Sequence, residues 1–265
     1  MDRRTPMIAG ITFGVLFAVA LVMVPAMPGI GQPGYDIVSH VNEHAAAMRA
    51  HALLVAFGSL ALVVVLGHAR DRLTGPAAYV FTIGSALVLV QLLIATWFTA
   101  GFALHPAQLG SATARTVGDI VAMSAPMLTI ANIMVAAPIL LAANEDRFPR
   151  WLGIAAAVFT VEQLIETITI IGPPGSFISP GGPMNSYLGG ALFIAFFTAL
   201  GVALAVDFSS PVAAERSGRP GEVDARTSEP GEKRGDSADD SSREAADEER
   251  ADRVAEDVEE SSGEG

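Results

Sequence analysis

Residues 151–172 read WLGIAAAVFTVEQLIETITIIG, an apolar run of membrane length that carries two glutamates, Glu162 and Glu166. About 20 apolar residues at 1.5 Å each cross the roughly 30 Å hydrocarbon core of a bilayer. An ionised acid near the middle of such a helix costs about 2.5–3.5 kcal/mol. The ten Leu, Ile, Val and Phe residues of the run each return about 0.3–0.6 kcal/mol, so the segment alone roughly breaks even. Its insertion therefore requires the acids to be neutralised, paired or hidden from lipid by neighbouring helices.

The rest of the chain supplies those neighbours. Five more apolar stretches, at about residues 7–24, 50–67, 77–104, 119–143 and 186–206, are long enough to cross. The first exceeds a signal-peptide core and has no A-x-A site after it, so it is read as a retained span. Residues 35–48 predict a short polar helix outside the membrane, while residues 105–118 and the Pro- and Gly-rich, uncharged residues 172–185 predict loops. Pro126 and Pro138 interrupt the fourth span. Gly189, Gly190 and Gly201 offer close helix contact in the sixth. The expected fold is all-α: a polytopic integral membrane protein with six transmembrane helices in a compact bundle, occupying residues 1–206.

Charge separates this bundle from the C-terminal fifth of the chain. Residues 1–206 hold eight Arg, no Lys and nine acids, whereas residues 207–265 hold nineteen acids and eight bases. The net charge of −12 is thus almost entirely a property of the tail. With few large apolar residues to bury, residues 207–265 predict a disordered acidic cytoplasmic tail, a place for a cytoplasmic protein partner. Arg3, Arg4, Arg70, Arg72, Arg147 and Arg150 fall on one side of the six crossings, and Arg49 and Arg115 on the other. That asymmetry predicts a multi-pass plasma-membrane protein with both termini cytoplasmic. In layout alone the chain resembles small bacterial six-helix membrane proteins.

Chemistry is expected inside the bundle. Glu162 and Glu166 are one turn apart on one helix face, and Thr169 continues the stripe. By rise per residue, Gln91 and Asn132 reach similar depth on two other helices. These five side chains predict a shared intramembrane polar site. Burial and mutual repulsion favour a proton on at least one carboxylate at neutral pH. Intramembrane acids of this kind belong to proton or ion pathways by default, and the competing reading is a hydrogen-bonded structural network.

A second constellation is His40-Val41-Asn42-Glu43-His44, which fits the H-x-x-E-H pattern of inverted zinc peptidases. Zinc there would use His40 and His44, a third ligand from His51 or Asp36, and Glu43 as base. A loop of this size holds no peptidase core, so a plain interfacial helix is the stronger expectation. A third group, Arg49, His44 and His51, marks the outer mouth of the second span. There Arg49 could pair with Glu166, and the histidines could relay protons.

Absences narrow the field. There is no cysteine, hence no disulfide or thiolate chemistry, and no basic aromatic patch for nucleic acid. The one lysine, Lys233, lies in the tail, which excludes a retinal Schiff base. The leading expectation is a small permease-like protein, coupled to a proton or cation, whose partners are the lipid bilayer and a small solute. A non-catalytic scaffold or sensor acting through the tail is the alternative, and a metal-dependent hydrolase using zinc is the third reading.

Overall fold

Residues 4–206 are described in a computed structural model, and they form six helices long and apolar enough to cross a membrane. The helices are α1 (Arg4–Met23), α2 (Gly34–Arg70), α3 (Gly75–Phe102), α4 (Ser111–Asn144), α5 (Arg150–Thr167) and α6 (Gly190–Ala205). A 3₁₀ turn at Ile168–Ile171 extends α5, a π turn at Met184–Gly189 leads into α6, and a short 3₁₀ turn covers Pro106–Gln108. The acidic tail expected at residues 207–265 lies outside the described residues.

Large apolar side chains are exposed on α1 to α5 and on the π turn that leads into α6. On α5 these are Val158, Val161, Leu164, Ile165 and Ile168, and on α2 Leu53, Phe57 and Leu60. A soluble domain would hide such side chains, so this surface is built for lipid. Trp151, Trp97 and Tyr187 are also exposed, near helix ends, where interfacial aromatics belong.

The helices pack in chain order, α1 on α2, α2 on α3, α3 on α4 and α4 on α5, and α6 closes the ring against α1. α2 also touches α4 and α6, which makes it the most central element. Lipid tails supply no hydrophobic drive between helices, so close approach through small residues carries the packing. Gly10 of α1 meets Gly201 of α6 so tightly that a Cβ on Gly201 would lie 2.7 Å from the Gly10 Cα. Gly84 opens α3 to Met134 of α4 in the same way, and Gly58 opens α2 to the Phe17 ring. Of the three glycines singled out in the sixth span, Gly201 makes a helix–helix contact, Gly190 abuts Leu21, and Gly189 faces a carboxylate instead.

The two ends of the bundle differ. At the end holding Arg4 and Ala205, the Arg72 guanidinium donates to the Leu204 carbonyl (2.7 Å) and lies over the Phe148 ring. Arg147 donates to Thr74 Oγ1 there (2.6 Å). Behind this rim, Phe13, Phe17, Phe193 and Phe197 form an aromatic plug between α1 and α6.

Two expectations are corrected at the opposite end. Residues 35–48 are not a separate outer helix: α2 is one helix of 37 residues. Between Gly34 and Gly58 it contains neither Pro nor Gly, so nothing stops it from propagating. Residues 111–118 are likewise helix rather than loop, because α4 begins at Ser111. At about 55 Å, α2 is longer than the hydrocarbon core is thick. Its first turns and those of α4 pack on each other around Ile37, Val41, Met48, Phe102 and Ala114, a second small core. Arg115 fastens this annex by donating to the Gly29 and Gln32 carbonyls (3.2 and 2.6 Å) while paired with Asp119.

Candidate functional site in the bundle interior

The face of α5 opposite its lipid-exposed residues carries Glu162, Gln163 and Glu166, at 8, 2 and 4% exposure. The acids therefore turn inward, as their cost in lipid demands. Both are tied to one amide: Gln163 Nε2 donates to Glu162 Oε2 and to Glu166 Oε2, each at 2.7 Å. The carbonyl end of the same side chain accepts from Asn132 Nδ2 of α4 at 2.6 Å. Asn185 Nδ2 reaches the other oxygen of Glu166 at 2.6 Å and Thr169 Oγ1 at 3.2 Å. Thr169 donates to the Glu166 carbonyl (2.7 Å). Beside this network, Thr129 and Thr167 share a hydroxyl–hydroxyl bond of 2.8 Å between α4 and α5.

The π turn holds Asn185 and Gly189 against Glu166. Single π turns are uncommon and recur at functional sites. A Cβ on Gly189 would lie 2.6 Å from Glu166 Oε2, so only glycine leaves room for the carboxylate. Gly175 and Gly181, both at positive φ, let the preceding loop fold back towards this position.

Among the described residues, the amide donors to the two carboxylates are Gln163 and Asn185, and both are neutral. Among the described residues, the buried oxygens Glu162 Oε1, Asn132 Oδ1 and Asn185 Oδ1 have no hydrogen-bond partner. A buried acceptor left in that state costs about 1–3 kcal/mol. Three of them beside two acids make a region rich in acceptors and poor in donors.

Next to the network is a partly open cavity of about 290 Å³, to which all six helices contribute. Glu166, Gln163, Asn132 and Asn185 form its polar wall. The remaining wall is mainly apolar, and Phe17 and Phe193 at its base belong to the aromatic plug. His51 also lines it; its Nδ1 lies 2.9 Å from the Ala20 carbonyl and so carries the hydrogen of that bond.

The residues singled out from the sequence thus divide. Glu162, Glu166, Asn132 and Thr169 share one network. Gln91 does not join it: its amide donates to the Met127 carbonyl (3.3 Å) and lines a separate groove between α3 and α4. Gln91 meets α4 five residues before Asn132, so neither level nor direction brings the two side chains together. Arg49 makes no ion pair with Glu166, because its guanidinium donates to the Ala103 carbonyl (3.3 Å). His51 reaches the cavity, while His44 stacks edge-on against His40, ring centroids 4.7 Å apart, on the annex. Glu43 beside them is exposed. No group of three or more metal-ligating side chains occurs among the described residues, so the H-x-x-E-H segment has two imidazoles and no third ligand.

Gln163 and Asn185 are the members that sequence reasoning passes over. Gln163 carries a signal, since it lies within the decisive run one position from Glu162 and three from Glu166. Asn185 carries none, being the last residue of a Pro- and Gly-rich stretch. Compared with family models, curated proteins and solved structures, the chain matches none of them.

Proposed function

We propose that this chain is a small permease coupled to a proton or another cation, with Glu162 and Glu166 as its coupling site. One observation carries the reading: a cavity contributed to by all six helices ends on a buried carboxylate whose donors are neutral amides. Two carboxylates on one amide nitrogen repel each other strongly when both are ionised away from water. A proton or a bound cation is the simplest compensating charge. The cluster of Phe rings that lines the cavity and packs behind it fits a carrier closed on one side. The Arg distribution supports a plasma-membrane protein with both termini cytoplasmic.

The test is solute-evoked proton movement in proteoliposomes loaded with a pH-sensitive dye. Wild-type protein is expected to change the lumenal pH when a transported solute is added, and Glu162→Gln and Glu166→Gln are each expected to reduce that change about tenfold or more. Unaltered proton movement in the double Gln variant would overturn the reading.

A further inference from the structure

A proton alone needs no cavity of 290 Å³, and the chemistry of its walls narrows what else could enter. The polar wall is built from residues rich in acceptors: Glu166, with its carboxylate, and Asn132 and Asn185, whose buried carbonyl oxygens have no hydrogen-bond partner. A ligand that completes this wall must donate several hydrogen bonds and carry positive charge. The rest of the lining is mainly apolar, with Phe17, Val55, Leu92, Leu128 and Phe193. Thr96 and Thr99, hydroxyl residues within it, spend their protons on the Leu92 and Ala95 carbonyls.

These two walls discriminate between ligand classes. Hard metal cations surround themselves with oxygen and keep bound water, which the apolar wall does not provide. A quaternary ammonium has no N–H to give the acceptors. An anion would meet Glu166, and a neutral solute would bring no positive charge to take the place of a proton there. A primary ammonium supplies three donors and one positive charge, and an apolar body behind it matches the remaining lining.

Resting on the permease reading, we infer that the cavity binds a small organic primary amine. Its ammonium group sits among Glu166, Asn132 and Asn185, and its apolar body lies against Phe17, Leu128 and Phe193. Substrate and coupling proton then meet at the same carboxylate pair, so arrival of the amine displaces the proton.

Calorimetry on the full-length protein in lipid nanodiscs tests this with 2-phenylethylamine, against empty nanodiscs, and with its neutral isostere 2-phenylethanol. Saturable amine binding is expected, about tenfold or more tighter than that of the alcohol. Glu166→Gln is expected to weaken the amine at least about tenfold and leave the alcohol unchanged, which also shows that the cavity is intact. Leu92→Trp, which fills the apolar side from α3, a helix that contributes no side chain to the network, is expected to abolish binding of both. Equal binding of amine and alcohol, amine affinity unchanged by Glu166→Gln, or competition by sodium ions would each overturn the inference. So would absence of amine binding. If other solutes still evoked carboxylate-dependent proton movement, the permease reading would survive that result.

Discussion

Gly189 faces the Glu166 carboxylate at a distance that no side chain could share, since a Cβ there would stand 2.6 and 2.7 Å from the two carboxylate oxygens. The carboxylate and the π turn therefore fix each other's position. Gly189→Ala must push the carboxylate off Gln163 and Asn185 or unwind the turn. Overpacking of this kind costs about 1–3 kcal/mol. Solute-evoked proton movement is expected to fall about as far as in Glu166→Gln, with a lowered thermal midpoint in detergent.

Among the described residues, Gln163 is the only one whose side chain bonds both acids and Asn132. Gln163→Leu keeps the volume and removes both ends of that bridge. The Asn132 donor and both carboxylates then lose a partner, a loss of roughly 2–4 kcal/mol if each contributes as a typical buried hydrogen bond to a polar or charged group does. Chemical unfolding in mixed micelles reads this directly. Asn132→Leu, which strips one neutral bond, is expected to be milder.

The contact of Gly201 with Gly10 and with the Pro6 carbonyl is backbone against backbone. Unlike a flexible side chain, neither partner can swing aside, so Gly201→Leu is expected to part α1 from α6. A loss of stability of about 1–3 kcal/mol should accompany that separation. Gly67, where an added Cβ would meet no other part of the protein within 4 Å, provides the control: Gly67→Ala removes a helix-interior glycine and should be neutral or stabilising by up to about 1 kcal/mol.

Phe17 and Phe193 of the aromatic cluster line the cavity, and Phe13 and Phe197 pack behind them. Phe193 contacts Phe13, Phe17 and Phe197, so Phe193→Ala should destabilise the bundle by about 3–5 kcal/mol at most, the range for a truncated core Phe. It should also raise passive proton leak into proteoliposomes without added solute. Dye-loaded vesicles measure that leak at once.

Much of this is legible in the sequence because lipid imposes simple rules. Six apolar runs of sufficient length yield six helices, and the two acids in the fifth have to face inward or be neutralised. What the sequence does not disclose depends on rotation and on exceptions to regular helix. Gln91 meets α4 at Met127 and lines a groove, whereas Asn132, five residues on, joins the network, a difference of level and azimuth that counting rise from the helix ends does not carry. Asn185 enters the site through a π turn, whose extra residue per turn shifts the helix face. The polar residues that open α2 suggest a separate element, whereas helix propensity without Pro or Gly simply continues across the membrane boundary.

Proton coupling through α5 requires a buried carboxylate in residues 151–172 to carry a proton inside the bundle. Hydrophobic carbodiimides react with protonated carboxyl groups within membranes, so labelling followed by peptide mass mapping tests it most directly. Modification is expected at Glu166 or Glu162, suppressed by 2-phenylethylamine and absent from the double Gln variant. Labelling confined to exposed acids such as Glu43, with residues 151–172 untouched, would contradict it.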